Sequence, residues 1–356
     1  MPSGTLASAP RVRRLRGMSL WNELPKLEQW FAQRERYPLS QHPRWLKILH
    51  QALGHTVYAL TASERGQVRG FLPLAGFSSL LFGRFLVSLP YLNTNGVMAD
   101  DPAIERALVE EAIRLAEQRQ VRFLELRQEQ EVVHPQLHGR ANQKVHMRLS
   151  LPGTTEALFR DVGPKVRNQV RKGEKSNLTI HWGRQELLGE FYSVFSQNMR
   201  DLGTPVYGRA LFEQILRHFP SETELCVVRQ GQRAVACALL LHGRGITEVP
   251  SASCLREVNP LCANMLMYWH LLQRSIERKQ TVFDFGRCTL NGGPYKFKCQ
   301  WGAQAHPAHW QYYTREGQAN EMRPDNPRFA QLIRLWQQLP VALTRFLGPS
   351  IVRCIP

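Results

Sequence analysis

The sequence predicts an α/β (α+β) protein built from two copies of one unit, each a mixed, mostly antiparallel sheet with crossover helices. Three observations predict this. The order hairpin, strand, helix, strand occurs in each half of the chain. Corresponding signals are similarly spaced, since Gly66 precedes Arg127 by 61 residues (127 − 66) and Gly231 precedes Arg287 by 56 (287 − 231). The chain has 356 residues, 43% of them hydrophobic, which is enough for two packed cores.

The first copy contains a helical segment and then a clear alternation of strand, turn and helix signals. Its helix is predicted to begin at Asp101-Pro102, because an N-cap carboxylate accepts from free N–H groups and proline suits the first helical position. The predicted segments are a hairpin at 57–60 and 68–74, a strand at 85–89, the helix after Asp101 and a strand at 121–126 that ends in Arg127.

The second copy repeats these signals. Asn259-Pro260 resembles the first helix start, and the strand that returns after the helix leads to Arg287. The predicted segments are a hairpin at 225–229 and 234–241, a strand at 246–252, a helix after Asn259 and a strand at 281–285. A hairpin that feeds a strand, a crossover helix and a parallel strand is a compact, right-handed unit, so its recurrence predicts a doubled fold.

The two copies are predicted to meet at Leu151, because a strand at 145–151 is closed there by Pro152-Gly153. Past Trp310 the pattern loses strand character. The predicted division is a basic N-terminal extension at 1–17, a first domain at 18–151, a second domain at 152–322 and a basic amphipathic tail at 323–356.

Charge and cysteine usage indicate a cytoplasmic protein with an anionic partner. The formal net charge is +17, which favours nucleic acid, a phosphorylated donor or a lipid surface. The seven cysteines include no C-x-x-C pair and are expected to be reduced. Cys288 has an alternative role as a nucleophile, because Arg287 beside it favours the thiolate. No metal-ligand spacing is found among the twelve histidines, so no metal site is predicted.

The N-terminal extension carries four arginines but is followed by no apolar segment, so we expect no signal peptide, and Met18 is an alternative start to Met1. No window reaches the ~18 apolar residues of a membrane span. The tail is different, because residues 326–356 combine leucines and aromatic residues with arginines. It is predicted either to pack on its own domain or to lie on the inner face of an anionic membrane.

The stretch FDFGRCTLNGGPYKFKCQW, residues 283–301, concentrates the candidate chemistry. A strand ends near Asp284 and Arg287, and a glycine turn at 291–294 can present backbone N–H groups to an anion. If the following segment is extended, Lys296 and Lys298 point the same way.

With its Y-K-F-K-x-Q-W-G ending, this stretch resembles FemAB-like transferases, in particular the exosortase (PEP-CTERM)-associated type with a BioF2-like acetyltransferase domain. The likeness continues at 88–93, 165–175 and 202–205. It implies tandem acetyltransferase-like (GNAT) domains that move an acyl or aminoacyl group onto an amine in cell-envelope or exopolysaccharide assembly. It implies no tightly bound cofactor and a donor that is either acyl-coenzyme A or aminoacyl-tRNA. A glycine-rich loop that holds coenzyme A is missing at 254–260, and the first copy offers only Gly96 there, so both donors stay open.

Acyl transfer needs a held donor, a deprotonated amine and donors aimed at the oxyanion. Asp284 is the predicted general base or orienting carboxylate, and Tyr295 is the predicted proton donor or hydrogen-bonding partner. The bland alternatives are a structural ion pair of Asp284 with Arg287 or a lysine, and core packing for Tyr295 and Trp301. The predicted donor- and substrate-binding residues are Arg287, Lys296, Lys298, Trp301, Asn93, Arg127, Lys165, Arg167 and Arg171.

Lys165, Arg167 and Arg171 belong to a predicted helix with a basic face, which is either solvated or the wall of a phosphate-contacting groove. A different class of function is also open: a basic module that binds RNA or an anionic glycan without catalysis. It is favoured if the lysines are needed and Asp284 is not.

Overall fold

A computed structural model describes residues 10–79, 83–139, 144–315 and 330–355. The first elements in chain order are β1 (Arg11–Leu15), α1 (Met18–Ala32), α2 (Trp45–Leu53), β2 (Thr56–Glu64), β3 (Gln67–Ser79), β4 (Gly83–Val87), β5 (Met98–Ala99), α3 (Pro102–Gln118), β6 (Phe123–Gln128) and β7 (His138–Gly139). They are followed by β8 (Lys144–Ser150), α4 (Thr155–Asp161), α5 (Pro164–Glu174), β9 (Leu178–Gly183), α6 (Leu188–Asp201), α7 (Arg209–His218), β10 (Thr223–Gln230), β11 (Arg233–His242) and β12 (Ile246–Cys254). The last are α8 (Ala263–Glu277), β13 (Val282–Thr289), α9 (Gly293–Cys299), β14 (Gln304–Pro307), β15 (His309–Thr314), α10 (Ala330–Gln338) and α11 (Val341–Val352).

The described strands form two sheets of the same plan. The first has the order β1-β2-β3-β4-β6-β15-β7, with β5 beside β3, and the second has the order β14-β8-β13-β12-β11-β10-β9. In each, a hairpin feeds a strand that pairs in parallel with the strand after the helix: β4 with β6, and β12 with β13. The predicted doubled α/β unit is confirmed.

The two predicted helix starts differ. Asp101 caps α3 as expected, since its carboxylate accepts from the N–H groups of Ala103 and Ile104 at 2.9 and 3.0 Å. The second helix does not begin at Asn259-Pro260. A 3-10 turn occupies Arg256–Leu261, Cys262 adopts a left-handed φ of 57°, and α8 begins only at Ala263. Asn259 therefore belongs to the turn, where its side chain is not an N-cap.

The predicted boundary at Leu151 would place β8 in the first sheet and β15 outside it, but each of these strands belongs to the other half's sheet. β8, expected to close the first domain, pairs with β13 and β14 in the second sheet. The region after Trp310 was expected to lack strands, but β15 forms there and pairs with β6 in the first sheet. β1 also pairs with β2, so Arg11–Leu15 is part of the first sheet rather than an extension. The described part of the predicted 1–17 segment begins at residue 10.

One hydrophobic cluster extends across both halves. It includes Phe31 and Trp45 of the first half together with Phe191 and Phe219 of the second, all fully buried or nearly so. The rings of Trp45 and Phe219 lie 5.7 Å apart. Because the contact between Trp45 and Phe219 joins the two halves, hydrophobic burial there stabilises their association.

The tail predicted at 323–356 is described from residue 330 onwards, and its opening at Asn326-Pro327 lies outside the described residues. Within the described part it forms α10 and α11. Arg345 of α11 donates from Nε to the Ser196 hydroxyl of α6 at 2.6 Å. None of the described helices has the length and apolar character that crossing a bilayer requires.

Candidate functional site

The candidate site lies where the parallel strands β12 and β13 separate. They pair only from Ile246–Glu248 to Val282–Asp284, after which β12 continues beside β11 and β13 beside β8. Gly286 follows the split and has a φ of 76°, a backbone conformation that residues other than glycine rarely adopt. A Cβ atom at Gly286 would come 2.9 Å from Asn93 Nδ2, so Asn93 of the first half lies directly against the split.

Asp284 is at the last paired position and is 2% exposed. Its Oδ1 accepts from the Gly286 N–H at 2.7 Å and its Oδ2 from Arg148 Nε at 2.9 Å. Arg148 also pairs with Glu129. The ion-pair partner is thus Arg148 of β8, and neither Arg287 nor a lysine, which were the expected alternatives.

Glu248 is a site residue that the sequence interpretation missed. It lies directly opposite Asp284 on β12 and is 3% exposed. The N–H and the hydroxyl of Ser40 donate to its two oxygens at 2.9 and 2.6 Å. Burial, and then the charge of Asp284, raise the pKa of Glu248 to about 7. The available signal was its position within the predicted strand at 246–252, but only the register puts it beside Asp284.

The predicted residues Arg127 and Arg287 meet at one indole. Their guanidinium carbons lie 4.3 and 3.6 Å from the ring centre of Trp310, which β15 supplies. Arg127 Nε also pairs with Glu125 Oε1 at 2.6 Å, whereas Arg287 forms no ion pair with any carboxylate of the described ranges. Burial, and then the charge of Arg127, lower the pKa of Arg287 to about 10. Two cations with one carboxylate make this a place where an anion is stabilised.

Asn93 is the third predicted residue at this point, since its Oδ1 accepts from the Arg287 N–H at 3.4 Å. Asn93, Arg127 and Arg287 come from three segments of the chain, and the structure brings them together. Tyr207, which is partly buried, is close enough to feel both cations: burial raises its pKa, and the charges of Arg127 and Arg287 lower it.

The segment after the glycine turn is the helix α9, and the expectation of an extended strand is wrong. Pro294 is in its first turn, where a missing N–H costs nothing. Because a helix separates positions 296 and 298 by about 200°, the two lysines do not point the same way. Lys298 is buried and its Nζ donates to the carbonyls of Gly286 and Arg287 at 2.9 and 3.3 Å, while Lys296 is exposed.

The other predicted residues of this stretch have simpler surroundings. Trp301 is 1% exposed and belongs to the core, so it is not on a binding surface. Tyr295 is partly exposed, and a hydrogen bond with Cys299 raises its pKa. Cys288 is buried, and burial raises its pKa, which disfavours the thiolate of a nucleophile.

The predicted basic face lies on α5, whose Val166 and Val170 are buried. Arg167 is held at the end of α4, where Nη1 donates to the carbonyls of Arg160 and Phe159 at 3.1 and 3.4 Å. Lys165 and Arg171 are exposed. Arg167 thus contributes to helix packing, and Arg171 lies 5.5 Å from the ring centre of Phe159.

A groove that the sequence interpretation did not identify lies between α1 and β3. It encloses about 690 Å³ and continues into a second cavity of about 230 Å³ with which it shares Lys26, Gly66 and Val68. Its cations outnumber its carboxylates, and Arg34 stacks on Trp30 at 3.8 Å. The basic groove is lined by the cations Lys26, Arg34, Arg69, Arg11, Arg13 and Arg65, and by the acids Glu23 and Asp100.

Comparisons with known proteins agree on the fold. Residues 160–299 match the family model described as an acetyltransferase (GNAT) domain. No curated protein matches the chain by sequence. A crystal structure of FemX aligns with TM-score 0.63 at 13% identity over 85% of this chain and 97% of that chain.

Two further solved structures are similar. L-PGS from Bacillus licheniformis aligns with TM-score 0.55 at 13% identity over 91% of this chain and 96% of that one. A tandem GNAT protein from the clavulanic acid biosynthesis pathway, without AcCoA, aligns with TM-score 0.54 at 10% identity over 85% and 98%. These alignments confirm the predicted fold of tandem GNAT-like domains.

Proposed function

Since residues 160–299 match the acetyltransferase (GNAT) domain model and the chain shares the fold of FemX, we propose that it is a FemAB-like N-acyltransferase, which moves an acyl or aminoacyl group from an activated donor to an amine. The observation that carries this proposal is the split between β12 and β13, with Gly286 at its mouth and Arg127 and Arg287 beside it. In acyl transfer a new C–N bond forms, the donor's C–S or C–O bond breaks, and the amine loses a proton that the leaving group gains.

The residues take distinct roles in this proposal. Arg287, with Arg127, holds an anionic group of donor or acceptor. Asp284 is an orienting carboxylate rather than a free base, because both of its oxygens are already hydrogen-bonded. Lys298 fixes the carbonyls of Gly286 and Arg287, and thereby the end of β13. Tyr295, which is accessible at the surface of α9, is the proposed proton donor to the leaving group.

Acyl-coenzyme A and aminoacyl-tRNA are both candidate donors, held without a tightly bound cofactor. The turn before α8 lacks glycine, which argues against a close approach of pyrophosphate to the backbone. Native mass spectrometry of gently purified protein, repeated after ribonuclease and after addition of acetyl-coenzyme A, distinguishes them. Bound small RNA that disappears on digestion supports aminoacyl-tRNA, and a mass shift with the thioester supports coenzyme A. Absence of transfer from both donors to any amine tested would contradict the acyltransferase.

We further propose a cytoplasmic setting in cell-envelope or exopolysaccharide assembly of the exosortase (PEP-CTERM)-associated type. The support is the likeness of residues 283–301 to those transferases. Replacement of the chromosomal gene by an Asp284→Asn version should reduce the exopolysaccharide as much as a deletion does. Unchanged polymer in the deletion strain would contradict this setting.

A second candidate function is a non-catalytic module that binds RNA or an anionic glycan, and the basic groove is the observation that favours it. Charge reversal in the groove by Lys26→Glu with Arg34→Glu should then abolish binding of the polyanion, while Asp284→Asn has no effect in cells. Loss of function on Asp284→Asn with intact RNA or glycan binding supports the acyltransferase instead.

A further inference from the structure

The last two described helices expose several large apolar side chains. Over the described ranges nine large hydrophobic residues are exposed, and five of them belong to α10 and α11, which together comprise only 21 residues. The other four are Met18, Val133, Leu202 and Leu290. The five define the apolar face and are Leu332 (59% exposed), Leu335 (60%), Leu343 (40%), Phe346 (79%) and Leu347 (38%).

The opposite sides of these helices are firmly packed. Gly348 lies so close to Val206 that a Cβ atom there would be 2.9 Å from the Val206 N atom. A Cβ at Gly203 would collide with the Ile333 side chain. Gln337 donates to the carbonyl of Asp201 at 3.1 Å. These contacts hold α10 and α11 against the end of α6 and the loop after it, and the apolar face is on the part of the two helices that they leave exposed.

The charge around the apolar face indicates what kind of surface it binds. Residues 330–355 contain no acid and three arginines, and of these Arg334 is exposed on α10. A second copy would bring another such arginine and another +17 of net charge against the face, which disfavours self-association. An anionic bilayer offers both an apolar layer and negative headgroups.

We propose that α10 and α11 dock the protein on the surface of an anionic lipid bilayer, with the apolar face in the headgroup and acyl boundary and Arg334 among the headgroup phosphates. Helices of this kind lie in the interface and do not cross it. The docked helices remain connected to the site, since the Val352 carbonyl accepts from the Tyr91 hydroxyl at 3.1 Å and Val206 adjoins Tyr207. Docking thus holds the candidate site on a body that is fixed to the membrane surface. This proposal does not depend on the acyl transfer proposed above.

Vesicle flotation of the full chain tests the docking. The wild type should float with vesicles of phosphatidylcholine and phosphatidylglycerol and remain at the bottom with phosphatidylcholine alone. Leu335→Glu with Phe346→Glu should weaken binding at least ~10-fold, because it places charge in the apolar layer. Arg334→Gln should reduce the preference for phosphatidylglycerol.

The matched control is Val133→Glu, which makes the same kind of change at an exposed apolar residue (85%) outside these helices and should bind like the wild type. Circular dichroism checks that each variant is folded. Three outcomes overturn the proposal: no flotation of the wild type, unchanged flotation of the Leu335/Phe346 variant, or equal binding to neutral vesicles. A dimer in sedimentation analysis that the Leu335/Phe346 variant abolishes would identify the face as an interface between copies instead.

Discussion

Glu248 and Asp284 are acidic side chains at directly paired positions of neighbouring strands, and both are almost completely buried. The two carboxylates share one dry site, where the charge of Asp284 raises the cost of ionising Glu248. Asp284 has Arg148 as a cationic partner, whereas Glu248 has only the neutral donors of Ser40. Glu248 is therefore the carboxyl group whose pKa is raised, and it keeps its proton up to about pH 7.

Asp284→Asn should reduce transfer at least ~100-fold, because the amide cannot orient both Arg148 and the Gly286 N–H as the carboxylate does. It should also lower the pKa of Glu248 towards its ordinary range, since the neighbouring charge is removed. The measurements are kcat/KM with the identified donor and the carboxyl titration by infrared spectroscopy. Glu129→Gln is the control, because it removes the other partner of Arg148 and leaves the split untouched. Full activity of Asp284→Asn would remove this residue from the mechanism.

Glu248→Gln should change the pH dependence of stability. The folded pKa of about 7 lies above the ordinary value of 4.5, so the folded state binds the proton more tightly. The stability from this group is fully present below pH 4.5 and is lost as pH rises to about 7, by about 3 kcal/mol. Urea unfolding at intervals across this range should show that contribution in the wild type and its absence in Glu248→Gln. A difference between the two proteins that does not vary with pH would refute the assigned shift.

The candidate residues that sequence could identify were those at strand ends. Asn93, Arg127, Asp284 and Arg287 were all predicted, because a strand followed by a break marks the edge of a sheet. Glu248 was not, because a single acid within an apolar strand gives no sign of its neighbour across the ladder. The location of Trp310 against two arginines also depends on a pairing between distant segments.

At the scale of elements, local patterns predicted the hairpins, the parallel strands and α3, because their signals lie within one segment. The sheet to which β8 and β15 belong could not be read locally. An alternating strand pattern fits an edge of either sheet, and only the contacts with β13 and β6 decide. The α9 segment was misassigned because Lys296, Phe297 and Lys298 alternate as a strand does, while the preceding proline and the packing of Phe297 on Trp301 favour a helix turn.

The exchanged strands lead to a prediction for fragments. A fragment of residues 144–307 contains every described strand of the second sheet, whereas 152–314 lacks β8 and carries an unpaired β15. We expect 144–307 to unfold cooperatively on heating and 152–314 to show no transition, because the loss of β8 leaves β13 and β14 without their common neighbour. Circular dichroism of the two fragments, which are similar in length, measures this. A cooperative transition in 152–314 would indicate that β8 is dispensable.

At the scale of the whole molecule, the C-terminal tail affects the protonation of a histidine in the first half. His55 is 4% exposed, and burial, and then the charge of Arg353, lower its pKa to about 4. The neutral imidazole is hydrogen-bonded to the Tyr91 hydroxyl at 3.0 Å, and Tyr91 bonds in turn to α11. The protonation state of His55 therefore depends on the end of the tail, at Val352 and Arg353.

We expect the His55 ring to remain neutral in NMR titrations until pH is near 4, and Arg353→Gln to raise its pKa because one cation is removed. A folded pKa below the ordinary 6.5 means that stability is lost as pH falls from 6.5 to about 4, by about 3 kcal/mol. The pH dependence of stability from His55 is opposite in sign to that from Glu248. Each contribution is therefore measured by comparing the wild type with the variant that changes that contribution. An ordinary His55 titration near pH 6.5 would contradict the burial of this ring, and an unchanged pKa in Arg353→Gln would contradict the effect of the tail.

The pairing of β6 with β15 also has a consequence for synthesis on the ribosome. His309 pairs with Gln128, and 181 residues (309 − 128) separate them. At elongation rates of about 5–20 residues per second, the edge of β6 remains unpaired for roughly 10–40 s before β15 is synthesised. During that time the first sheet is nearly complete, and the unpaired N–H and C=O groups of β6 form an exposed edge that other nascent chains can pair with. A slowed or truncated translation product of this protein should therefore aggregate or recruit chaperones, although each half has the strand pattern of a self-sufficient unit.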